Sequence, residues 1–350
     1  MSIRPRQLTK SATALLGIVA ASAISLTAVT PASAAVAALP LAGYGDIAVD
    51  DVHKQVFITG GPSSNSILVT NFSGQVTKTI DNQLGATGLE LSADSTQLYV
   101  ALASGDAIAV IDTTTLAETA RHATGARTCP THLARAGAYV WFGYGCEGTF
   151  TGKIGRYDPA TGQPVGNLQG NARFQRAPLL TAATTATGPL VAGQLGLSSS
   201  TVQVYSLAGE SLTAGATGDV VGASLTDLDI TPDGTTLLSA AGSRDRVDAF
   251  APADLAGRGA YSVRPRPNSV ALNAGNTHIA AGAITGDSKD VLVYKLGASV
   301  PVRTIALGTG DVVAPRGLAW SAEGNRLFVV SHHDNDPEPE LSVFTNATGT

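Results

Sequence analysis

Charged residues are scarce, making up only 14% of the chain, and they gather into no basic stripe. With a formal net charge of −5, nothing in the sequence is suited to follow a phosphate backbone, so nucleic acid is not an expected partner. Beyond the first thirty or so residues, no stretch approaches the ~18 unbroken apolar residues that a spanning helix needs, so no membrane span is expected there. The familiar sequence marks of catalysis are missing as well: there is no Gly-x-Ser-x-Gly elbow, no His-Glu-x-x-His and no glycine-rich phosphate loop before a helix. Cysteine is limited to Cys129 and Cys146.

What is present begins with an export leader. Arg4, Arg6 and Lys10 precede an apolar stretch from about Ala12 to Val29, and Pro31-Ala32-Ser33-Ala34 then supplies small residues where a signal peptidase needs them. That order reads as a signal peptide over residues 1–34 and a secreted mature chain over residues 35–350. The competing reading is an N-terminal membrane anchor, but the stretch is rich in Ala, Ser and Thr and ends in a good cleavage site. In an oxidising compartment, Cys129 and Cys146 are expected to form one disulfide. The alternative, a two-thiolate metal site, lacks partners at suitable spacing.

Glycine is plentiful, with 39 residues, alongside abundant Thr, Val and Ala, a balance that favours turn-rich β structure. A unit recurs along the mature chain: a short apolar strand, a turn containing Asp, Asn or Gly, a second apolar strand, and a third ending in a hairpin. Its clearest copies start at Leu89, Leu228 and Leu318, and weaker ones at Ile47, Leu133 and Val270; the faintest starts at Leu180. These seven anchors lie 42 to 48 residues apart. Seven units of that period, each with three or four strands, predict an all-β seven-bladed β-propeller with blades starting near 47, 89, 133, 180, 228, 270 and 318. After Phe344 too little chain remains for an outer strand, whereas residues 36–42 precede the first inner strand. That segment is expected to supply the fourth strand of the last blade and so close the ring.

The segments Leu89 to Val100, Leu228 to Leu238 and Leu318 to Val330 resemble the YVTN-type bacterial β-propeller repeat. The hairpins Asp112-Thr113-Thr114-Thr115 and Asp158-Pro159-Ala160-Thr161-Gly162 resemble that family's Asp-x-x-Thr-Gly turn. The resemblance departs from the pattern in the fourth copy. It implies a propeller fold in a secreted or surface setting and implies no reaction, because propellers host unrelated functions.

In such a fold, residues just before each inner strand surround one mouth of the central channel, which makes Asp46, Thr87, His132, Asp227, Asn268 and Arg316 the candidate ligand-binding positions. The bland alternative is that they line a solvated channel and satisfy strand ends. The polar stretch His332-His333-Asp334-Asn335-Asp336 belongs to the same face, and His332, His333, Asp334 and Asp336 are candidate ligands for a divalent metal. Against that, the stretch lacks the spacing of a calcium loop. Trp141 and Trp320 read as packing between blades, and His278 as structural. No catalytic residue and no cofactor other than a possible divalent metal is assigned. The leading expectation is a secreted, monomeric, non-enzymatic binding or scaffold propeller with a protein or glycan partner. The alternative is a metal-dependent hydrolase or lyase of the lactonase or streptogramin-lyase type, using Asp46, His132, Asp227 and Asn268 at the channel mouth. A quinone-cofactor dehydrogenase would need a tryptophan-docking repeat that the sequence does not have.

Overall fold

The computed structural model describes Met1 and residues 34–146, 148–284 and 289–349. Up to Ser33, the expected leader lies outside the described residues. Seven four-stranded antiparallel sheets account for all the named strands, and no helix occurs among the described residues. The chain is a seven-bladed β-propeller. Blade 1 shows the plan, with an inner strand Ile47–Asp50 followed outward by Gln55–Thr59, Ser66–Asn71 and Val76–Asp81. The other inner strands are Ala86–Leu91, Pro130–Ala136, Leu179–Ala182, Leu225–Ile230, Pro267–Leu272 and Asp311–Trp320.

Burial along each blade explains the composition of its strands. In blade 2, Leu98 to Leu102 are buried without a break, because neighbouring blades cover both faces of the sheet. The outermost strand Ala117–Ala123 is mostly exposed and carries the polar residues. The hydrophobic core therefore lies between blades: Phe57, Ile67 and Val69 of blade 1 pack with Leu89, Val100 and Ala109 of blade 2. The tryptophans belong to these layers as expected. Trp141 packs against Leu180 and Leu190 of blade 4. Trp320 donates from Nε1 to the Ala271 carbonyl of blade 6 at 3.0 Å.

The recurring Ser/Thr-x-Asp sequence builds the turn between the first and second strands. In blade 2, Ser92 Oγ donates to Asp94 at 2.6 Å and accepts from the Gln97 amide at 3.0 Å. In blade 5, Thr231 and Asp233 repeat the arrangement, with Thr231 Oγ1 donating at 2.6 Å and accepting from the Thr236 amide at 3.0 Å. Gly234 and Gly324 supply the positive φ (72° and 68°) that these turns require. Blade 4 has no such turn. Its link runs from Ala182 to Leu190, and Thr184 is instead tied to the Pro232 carbonyl of blade 5, which is why its copy was faint in the sequence.

The N-terminal strand closes the ring. Ala34–Ala38 pairs antiparallel with Asp336–Thr345, placing Val36 opposite Ser342 and Ala37 opposite Leu341. The strand is shorter at its C-terminal end than the expected 36–42. Pro40 has no N–H to continue the ladder, and the chain turns so that Leu39 and Leu41 enter the core with Ile58, Phe328 and Val330. Cys129 and Cys146 form the expected disulfide, with Cα atoms 5.0 Å apart.

Candidate functional site

The seven repeat anchors form a girdle inside the channel. Ile47, Leu89, Leu133, Leu180, Leu228, Val270 and Leu318 all line one cavity of about 190 Å³ at the channel mouth, together with Asp46, His132, Asp227, Asp229 and Arg316. The apolar ring follows from the repeat, since the same register position of every inner strand faces the axis. The polar groups come from the residues on either side of it.

Arg316 and His132 are the central pair. Arg316 Nη1 lies 2.6 Å from His132 Nδ1, and Nη2 donates to the Gly45 carbonyl. A guanidinium can only donate, so His132 Nδ1 must be the acceptor and the imidazole proton sits on Nε2. Burial, and then the positive charge of Arg316, holds the His132 pKa well below the ordinary histidine value. His132 is thus a neutral ring in a defined tautomer. Arg316 reaches it from an interruption in strand pairing between Val313 and Leu318, with φ at 61°. A non-glycine residue held there costs about 1–3 kcal/mol, and such strain concentrates at functional sites. Tyr44 supports the bend by donating its hydroxyl to the Arg316 carbonyl at 2.8 Å.

The acidic residues face a different task. Asp46 accepts from its neighbour's amide (Ile47, 3.0 Å) and from the Leu89 amide of blade 2 at 3.0 Å. Asp227 accepts from Leu228 at 2.9 Å and from Val270 of blade 6 at 2.8 Å. Asp229 accepts from Ile230 and from Leu272 of blade 6, both at 2.7 Å. Each carboxylate therefore ties one inner strand to the next through a residue 43 positions ahead. Burial raises the pKa of all three, to about 8 for Asp227 and about 6 for Asp229, against the pull of their amide donors. Arg316 opposes the rise at Asp46 and Asp227.

Thr87 and Asn268 do not line the cavity. Thr87 Oγ1 is buried between the Ala101 carbonyl at 3.2 Å and the Pro130 carbonyl of blade 3 at 3.3 Å. Asn268 Nδ2 donates to the Val313 carbonyl of blade 7. Both act as links between blades. His332 and His333 end the strand Arg326–His333, and Asp336 begins the next strand after a two-residue turn containing Asp334. Among the described residues, the one set of three His, Cys, Asp or Glu ligand atoms within 4.8 Å of one another is Asp106 with the disulfide sulfurs of Cys129 and Cys146. His332, His333, Asp334 and Asp336 do not form such a set.

Sequence reasoning located Asp46, His132, Asp227 and Arg316 and missed Asp229 and Tyr44. Asp229 carried a usable signal, because it precedes an apolar strand residue of the next blade by the same 43 positions as Asp227. Tyr44 carried none, since its role depends on the bend at Arg316. A second cavity of about 250 Å³ lies beside the first over blades 3 and 4, lined by Thr131, His132, Gly145, Arg176, Ala177, Leu195 and Gly196. No family model and no curated protein matches the chain.

Proposed function

We propose that the chain is a secreted, non-enzymatic binding or scaffold propeller of the YVTN type that presents its channel-mouth face to a protein or glycan. The observation that carries this reading is the commitment of the polar groups at the mouth to holding the fold. The oxygens of Asp46 and Asp227 accept backbone amides, two of them from the next blade, and the Nδ1 lone pair of His132 accepts from Arg316. A metal-dependent hydrolase would need several of these same atoms as free, convergent ligands. In their place stands the fixed positive charge of Arg316, which would repel a cation. The YVTN assignment rests on the repeated Ser/Thr-x-Asp turn, and secretion on the leader sequence and the disulfide.

The test is elemental analysis of the purified full chain, paired with turnover of a lactone panel before and after chelation. The expected result is no stoichiometric divalent metal and no chelator-sensitive turnover. Stoichiometric metal whose removal abolishes lactone hydrolysis would overturn the reading in favour of the hydrolase.

A further inference from the structure

Once the inner strands are tied together, the hydrogen-bonding groups left free at the channel mouth are donors. Both carboxylate oxygens of Asp46, Asp227 and Asp229 already accept backbone amides. Arg316 spends one N–H on His132 and one on the Gly45 carbonyl, and its other three N–H groups have no partner among the described residues. His132 is only 5% exposed, yet its Nε2–H makes no hydrogen bond among the described residues and is not sealed off. It therefore opens toward one of the two cavities that His132 lines.

The place of the guanidinium is built into the backbone. A side chain at Gly317 would meet the Val330 carbonyl at 2.6 Å and the Ala314 carbonyl at 2.8 Å, so only glycine allows the interruption in pairing that presents Arg316. The cavity it lines is walled by the seven apolar anchors and measures about 190 Å³. At ~30 Å³ each, that is room for about six groups the size of a water. Pockets for drug-sized ligands run to roughly 300–1,000 Å³, so the occupant is small. A permanent cation facing an apolar ring suits an anion with a short apolar body.

We propose that the channel mouth binds a short aliphatic carboxylate, its oxygens on the free N–H groups of Arg316 and its methylenes against the apolar girdle. A free acid of about four carbons and the glutamate side chain of a protein partner present this same chemistry. A uronic acid, larger and hydroxylated all round, suits neither the volume nor the girdle. The acids nearby do not exclude the anion. Burial raises the pKa of Asp46, holds Asp227 protonated at neutral pH with a pKa of about 8, and lifts Asp229 to about 6. Glu90, lifted by burial to about 7, faces Arg135 at 3.8 Å, and burial keeps Tyr44 neutral. As pH falls from 9 to 6 these acids lose negative charge while the ligand stays ionised, so binding tightens. The inference rests on the binding-propeller reading above and names the chemistry that its face takes up.

The test is calorimetric titration of the full chain with acetate, propionate and butyrate, and with an end-blocked peptide carrying one Glu. Butyramide, butylammonium, inorganic phosphate and the same peptide with Gln serve as comparisons. Saturable binding of butyrate is expected, gaining about fourfold per methylene and stronger at pH 6 than at pH 9. The ring-nitrogen resonances of His132 are expected to shift on binding. Arg316→Gln should weaken binding at least about tenfold, and Arg316→Lys, which keeps the charge, should retain part of it. Preference for the Glu peptide over its Gln counterpart would support a protein partner as the source, and binding of butyrate without the peptide a free acid. The proposal is overturned if no carboxylate binds, if butyramide, butylammonium or phosphate binds as well as butyrate, or if the His132 resonances do not move. Those comparisons use the wild-type protein, so they decide the matter even where a variant fails to fold. None of these failures touches the metal and turnover experiment, so the broader reading stands or falls separately.

Discussion

Arg316 of blade 7 donates across the channel mouth to Nδ1 of His132 of blade 3, at 2.6 Å. The contact joins residues 184 positions apart and fixes the tautomer of a buried histidine. It also determines what that histidine can do. A ring whose basic nitrogen already accepts from a permanent cation is neither a general base nor a metal ligand through that atom, and it keeps one N–H at Nε2 for a hydrogen-bond acceptor.

Removing the cation is expected to loosen this arrangement in a measurable way. In Arg316→Gln the His132 pKa rises, yet stays below the ordinary histidine value, because burial is the larger of the two causes and remains. Ring-nitrogen NMR across pH 4 to 8 reads the result. A wild-type His132 that is already protonated at pH 6, or a titration that does not move in the variant, would contradict it.

The acid groups of the channel give stability a pH dependence. Asp227 has its pKa raised by burial from the ordinary 3.8 to about 8. Between those values the folded state holds a proton that the unfolded chain has lost, so folding stability falls as pH rises and the loss is complete above the folded value. The melting temperature is therefore expected to drop between pH 7 and pH 9. In Asp227→Asn, which cannot ionise, the same interval should be nearly flat. A wild-type melting temperature that rises across it would refute the account.

Closure by the N-terminal strand is expected to govern stability of the whole ring. Leu39, only 2% exposed, packs with Phe328 and Val330 of the last blade. Leu39→Ala should cost about 2–5 kcal/mol, in line with other buried leucine truncations. Deleting residues 35–43 removes the pairing partners of Glu340 to Val343 and uncovers an edge, and should lower the melting temperature further than the point variant. Equal melting curves for the deletion and wild type would show that the strand does not close the ring.

Much of the fold is local chemistry repeated, and that is why it could be read. Leu89, Leu228 and Leu318 each precede a Ser/Thr-x-Asp or Ser-x-Glu turn, and such turns satisfy themselves within a few residues, as at Ser92–Asp94 and Thr231–Asp233. Blade 4 is faint because its first turn lacks that pattern: Thr185 Oγ1 donates to the Gly188 carbonyl within the turn, and Thr184 is tied to the Pro232 carbonyl of the neighbouring blade. The channel-mouth site was legible only in part. Strand position alone pointed to Asp46, His132, Asp227 and Arg316. It did not reveal that Thr87 and Asn268 turn away from the channel to bond the next blade.

The sequence by itself determined the period, the blade count, the apolar girdle of seven anchors and the pairing of the two cysteines, because each depends on residues within one repeat or on there being no other choice. Tertiary structure alone decided which atoms are free. Whether a carboxylate binds a ligand or a neighbouring strand, and whether His132 offers a lone pair or a proton, depends on contacts between different strands and blades. Such contacts arise only when the ring closes, and no local pattern in the chain encodes them.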